Sequence, residues 1–139
     1  MQHSLQEISN DFEKLYAADF DRDAAIAEFD RILEKMSAGV LVNRAPEALK
    51  LAESMLAFAR KLDHNRGIAY GLGYAGFSLY ILSNHELALE RLTEALPIMK
   101  RLEDDAGLAH IYSGISGAQL SLGNYEEALE SGLTCLELA

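Results

Sequence analysis

The sequence predicts an all-α fold, a solenoid of about seven antiparallel helices, and three observations carry that expectation. Half of the 139 residues are apolar, and alanine, leucine and glutamate recur throughout, which favours helix. Val40 and Val42 are the only valines and β-branched runs are missing, so a sheet would have little to be made from. The third observation is that the chain matches itself on a shift of 40 residues. The segment LSNHELALE at Leu82–Glu90 lies over LGNYEEALE at Leu122–Glu130, and Gly67 lies over Gly107, Ala69 over Ala109 and Leu96 over Leu136. A shift the other way puts Ala48 over Ala88, Leu56 over Leu96 and Leu62 over Leu102. Repetition at such a period marks a helical solenoid, whose units bury their apolar faces only by stacking.

Punctuation places the helices in order. Ser4-x-x-Glu7 is a capping box, and Leu5, Ile8, Phe12 and Leu15 follow it as an apolar stripe, so a first helix spans Ser4–Ala18. Phe20–Asp23 is its turn. A second helix falls within Ala24–Val42, broken or ended by Gly39. Pro46 suits the first turn of a third, about Ala45–Leu62, because its missing N–H does no harm there. Arg66–Leu82 is small or apolar at nearly every position, as a helix buried on several sides would be. Ser83-Asn84 breaks it, and Asn84 is placed to cap the next helix, about His85–Leu102, through its side-chain oxygen. Glu103-Asp104-Asp105 is a polar turn that caps a helix over about Ala106–Leu122. Gly123-Asn124 turns the chain again, with Asn124 and Glu127 resembling a capping box, and a last helix runs from Tyr125 toward Ala139. No Gly-, Pro- or Ser-rich linker divides the chain. It reads as one domain, with 1–23 an extra helix and turn, 24–65 a divergent repeat, 66–105 a repeat, and 106–139 a further repeat, whole or truncated.

Composition narrows the function classes. A formal net charge of −10 repels nucleic acid and anionic membranes, so neither is an expected partner. Only one cysteine, Cys135, is present, which precludes an internal disulfide, and the N-terminus lacks a signal-peptide pattern. No apolar run is long enough to cross a bilayer. A cytoplasmic protein is the expectation. No histidine has a second His or Cys at ligand spacing, so no metal site is expected, and no cofactor motif survives. Gly71-x-Gly73-x-x-Gly76 matches a dinucleotide pattern, but it lies inside a helix where the pattern must follow a strand. These glycines fit close helix contact instead. Cys135 reads as a core thiol. Nothing assembles a nucleophile or an acid–base pair, so the chain reads as a non-enzyme.

The repeat resembles the tetratricopeptide repeat (TPR) family. Small residues lock the helix pair of that family where its helices A and B cross, and Gly76 with Ala88 and Ser116 with Ala128 stand at those positions. The segment Leu122–Leu129 is the most family-like. The resemblance implies a right-handed helical-hairpin solenoid that binds protein or peptide. The period of 40 exceeds the standard repeat of about 34. In that respect it resembles kinesin light chain repeats and the N-terminal TPR modules of bacterial signalling proteins such as diguanylate cyclases and histidine kinases. That likeness implies the regulatory or sensory part of a larger signalling protein.

Carried over residue by residue, the family's groove falls on Tyr70, Gly73, Phe77, Tyr80 and Ile81 of one unit. In the next it falls on His110, Ser113, Gly117, Leu120 and Ser121. The set holds aromatic and small polar side chains and no Lys or Arg, so the resemblance does not extend to the carboxylate-clamp type. It suits an apolar helix or extended peptide. A small-molecule sensor using the same aromatic residues is the alternative, and the protein's own N-terminal helix or a second copy could equally fill the groove. A separate stripe, Leu129, Leu133 and Leu136, is expected on the outer face of the last helix. Such a stripe needs cover, from a continuation of the chain or from a homodimer.

Overall fold

The computed structural model describes residues 4–19, 21–36 and 44–138. They form seven helices and no strand: α1 Leu5–Ala17, α2 Arg22–Leu33, α3 Ala45–Leu62, α4 Asn65–Ile81, α5 His85–Arg101, α6 Asp105–Ser121 and α7 Tyr125–Leu138. From α3 onward each helix packs on the next, and α4 also touches α6. This is the hairpin stacking of a TPR-like solenoid. Among the described residues no helix is long and apolar enough to cross a membrane.

The turns show how a 40-residue period arises. Asp63, Ser83, Glu103 and Gly123 all have positive φ, between 53° and 82°, and they follow α3, α4, α5 and α6 at intervals of 20 residues. Each repeat is therefore two such helix-and-turn steps. At three of these turns the next N–H reaches back five residues, His64 to the Ala59 carbonyl, Asn84 to Leu79 and Asn124 to Gln119, at 2.8–2.9 Å. That bond satisfies an orphan carbonyl at the helix end and fixes the left-handed residue before it. Only Gly123 adopts the conformation without a Cβ penalty.

Helix starts follow the sequence, with two corrections. Ser4 Oγ accepts from Glu7 N at 3.1 Å, Asp104 accepts from Gly107 N at 2.9 Å, and Pro46 lies in the first turn of α3. Asn84 does stand at the N-cap of α5, but its side chain makes no capping bond. It is exposed, so water can serve the free N–H groups. The second correction is α2, which begins at Arg22 because Asp21 caps it through Ala24 N at 2.8 Å. It ends at Leu33, well before Gly39, which lies outside the described residues. Pro97 sits inside α5 on an exposed position, where the hydrogen bond it deletes faces solvent.

Two apolar clusters make the core. The first joins Leu5, Ile8, Phe12 and Leu15 of α1 to Phe29 and Ile32 of α2 and Met55 of α3. The second joins Leu72 of α4, Leu92 and Met99 of α5, and Ile111 and Ile115 of α6. Tyr70 and Phe77 pack against both. The glycines of α4 act by absence of bulk. A Cβ on Gly71 would stand 3.1 Å from the Leu56 backbone of α3, and one on Gly76 would stand 2.5 Å from Leu92 Cγ. Beside them Ser78 is fully buried and its hydroxyl has no partner. Leaving such a group unpaired costs about 1–3 kcal/mol. Ser78→Ala is therefore expected to raise stability by about 1 kcal/mol or more. A urea midpoint that stays put or falls would show that the hydroxyl is bonded after all.

Candidate peptide-binding groove

Tyr70, Gly73, Phe77, Tyr80 and Ile81 lie along α4, and His110, Ser113, Gly117, Leu120 and Ser121 lie along α6, the helix it touches across the repeat boundary. Most of the first set is engaged in that contact. Gly73 is buried, with Ile111 Cδ1 3.0 Å from where its Cβ would be. The Phe77 ring lies edge-on to His110, centroids 6.4 Å apart, and passes beside Gly114. The Tyr80 ring covers Gly117, with its atoms 2.8–2.9 Å from a Cβ added there. Tyr80 also meets His85 edge-on at 5.3 Å, which gives His85 the helix-start packing role. Aromatic side chains of α4 thus lie over glycines of α6, and the spacing of these glycines decides how close the helices come.

Tyr70 is tied down by charge. Its hydroxyl donates to the Asp104 carboxylate, the group that caps α6. Arg66 lies over its ring, 5.4 Å from the centroid. Burial opposes the Asp104 charge, but the Tyr70 hydroxyl and the Gly107 N–H outweigh it and hold that carboxyl below its usual range. Burial and the same carboxylate push the Tyr70 hydroxyl far up, so it remains a donor. The neighbouring Tyr74 is pushed up to about 12 by burial. This clasp between units joins positions 34 residues apart, and sequence alone singled out Asp104 only as a cap.

What remains open to a ligand is chiefly the α6 side. His110, Ser113, Leu120 and Ser121 are exposed, Leu120 by 58%, while Phe77, Tyr80 and Ile81 are half-buried beside them. Ile81, with Tyr70 and Phe77, also packs against the N-terminal cluster. The strip carries no Lys or Arg. Clefts of about 360, 310 and 430 Å³ flank α1 instead, and none is lined by Tyr70, Phe77 or Tyr80.

The small residues at the helix crossings behave as structural locks. A Cβ on Gly76 would come within 3.4 Å of the Ala88 carbonyl. One unit on, Ser116 Oγ donates to the Ala128 carbonyl at 2.7 Å, and Gly132 makes room for it. The same lock thus recurs 40 residues apart, and the family model of the tetratricopeptide repeat matches residues 67–139, just over half of the chain. The chain belongs to the tetratricopeptide repeat family. No curated protein matches it. Cys135 departs from the expected core thiol. It is half-buried, and its Sγ donates to the Ala109 carbonyl of α6 at 3.2 Å.

Proposed function

We propose that this TPR protein is a non-catalytic protein- or peptide-binding module that takes an uncharged, apolar-rich peptide segment along the α4–α6 face. The observation that carries the reading is the exposed edge of His110, Ser113, Leu120 and Ser121 set against the half-buried Phe77 and Tyr80. Leu120 and the aromatic rings offer apolar contact, and the hydroxyls of Ser113 and Ser121 offer hydrogen bonds to a peptide backbone. None of the groove positions is Lys or Arg, so the strip lacks the cations that grip an acidic C-terminus in the carboxylate-clamp type. The host would be a larger bacterial signalling protein in which this part is regulatory and cytoplasmic. Support for that comes from the 40-residue period, longer than the standard repeat, and from the acidic, cysteine-poor composition.

A peptide-display selection against the folded protein tests the groove. Selected peptides are expected to be rich in apolar residues and to bind Phe77→Ala and Leu120→Ser about tenfold or more weakly, the effect of losing one apolar anchor. Phe77 also contributes to the core, so the exposed Leu120 is the cleaner probe of the two. Unchanged affinity in both folded variants would show that peptides bind elsewhere.

A further inference from the structure

The exposed large apolar side chains are not spread evenly over the molecule. Among the described residues none precedes Leu82. Three of them, Leu129, Leu133 and Leu136, form one stripe on α7 with 66%, 51% and 71% of their surface open. Intervals of four and three residues put them on a single helix face. The neighbouring face of α7, one residue back at each position, is already used, since Ala128, Gly132 and Cys135 pack on α6. One unit earlier the corresponding Leu89 and Leu96 are half-buried against the second core cluster, which includes Leu108 and Ile111 of α6. Two of the three α7 leucines, Leu129 and Leu136, thus match α5 side chains that are already packed, while Leu133 matches the exposed Thr93.

Charge selects the occupant. Glu126, Glu127, Glu130 and Glu137 are all exposed on α7. From Leu102 to Ala139 the sequence has no Lys or Arg, and its acids are the four on α7 and the three at 103–105. A second copy meeting α7 face to face would set two such acidic helices together with no cation on either, and like charges brought together oppose association. A second copy arriving head to tail would have to present an apolar face from its N-terminal helices. No exposed large apolar side chain stands among the described residues there. We propose that α7 is a docking surface for an amphipathic helix of another kind. Its apolar stripe seats on Leu129, Leu133 and Leu136, and Lys or Arg on its flanks face Glu126, Glu130 and Glu137. This surface is separate from the α4–α6 groove, so either can fail without the other.

Two synthetic helical peptides that share one leucine stripe test the proposal, one flanked by lysines and one by glutamates. Each is fluorescently labelled and titrated with the protein while anisotropy is read. The lysine-flanked peptide is expected to bind about tenfold or more tightly than its acidic twin, and to weaken as salt rises from about 50 to about 300 mM. Leu133→Ala, on the exposed stripe, is expected to weaken it about tenfold while the circular dichroism spectrum stays that of the parent. Leu120→Ser, in the other groove, should leave it unchanged. Three results would overturn the proposal. One is affinity that ignores the flanking charge, another is no binding by either peptide. The third is a homodimer in sedimentation equilibrium that Leu133→Lys dissolves and the lysine-flanked peptide does not displace.

Discussion

Leu92→Ala is expected to destabilise the protein by about 2–5 kcal/mol, the usual range for deleting a fully buried leucine. Leu92 is fully buried and enters from α5 between two helices. Its side chain stands where a Cβ of Gly76 on α4 would be, and it approaches Gly114 on α6 in the same way. Both partners are glycines, so neither has a side chain that could swing into the vacancy, and the cavity stays open. Equilibrium unfolding in urea would show the loss as a lower midpoint with an unchanged slope. Adding Gly114→Ala to the variant should restore part of it, because the new methyl fills space and removes a helix penalty of about 1 kcal/mol. The same Gly114→Ala in the parent should be destabilising, since Leu92 Cδ1 lies 2.8 Å from that Cβ. If Gly114→Ala acts alike in both backgrounds, Leu92 and Gly114 are not coupled as the geometry says.

The second large effect is expected at the other end of the molecule. Phe29→Ala should cost about 3–5 kcal/mol, and the loss should be concentrated in α1 and α2. Phe29 is fully buried and is the hub of an aromatic cluster. Its ring meets Phe12 at 5.1 Å, His64 at 5.7 Å and Phe58 at 6.3 Å. It also fills the space left by Gly67, with Cε1 2.9 Å from the Cβ position. The polar ties around it are few. Asp30 meets His64 Nε2 at 2.7 Å and Arg66 at 3.2 Å, Arg22 bonds the Leu62 carbonyl at 2.8 Å, and Lys35 bonds Asp11 at 2.6 Å. That last bond holds the Asp11 carboxyl below its usual range. These groups are partly exposed, so they contribute little without the ring. Hydrogen exchange should show protection lost at 5–33 and kept in α4–α7. Uniform loss along the chain would mean that α1 and α2 do not open as a unit.

Much of this protein could be read from its sequence for a local reason. Helix and turn repeat at fixed intervals, and the apolar period of each helix says which side it buries. The α1 stripe of Leu5, Ile8, Phe12 and Leu15 is buried as its spacing requires, and the same kind of spacing puts Leu129, Leu133 and Leu136 on one face of α7. Caps at Ser4 and Asp104 need only three residues of chain. The groove was legible only as positions on two helices. Which of those side chains stay open and which close the seam depends on how near α4 and α6 approach. That distance is set by Gly73 under Ile111, Gly114 beside Phe77 and Gly117 under Tyr80. Glycine has no apolar signal of its own, so its role appears only when a neighbour fills the space.

The sequence by itself determined that the described residues are all helical, where most of the helices begin, and the repeat. The tertiary structure decided what those faces meet. It joined Tyr70 to the Asp104 cap, gathered Phe29 with Phe12, Phe58 and His64, and placed Leu92 between two glycines of different helices. It also put three residues with a Cβ, Asp63, Ser83 and Glu103, into the left-handed turns that glycine takes at 123. The physical reason is range: hydrogen bonding and hydrophobic period act within one or two helical turns, whereas packing between helices is fixed by shape across the whole stack.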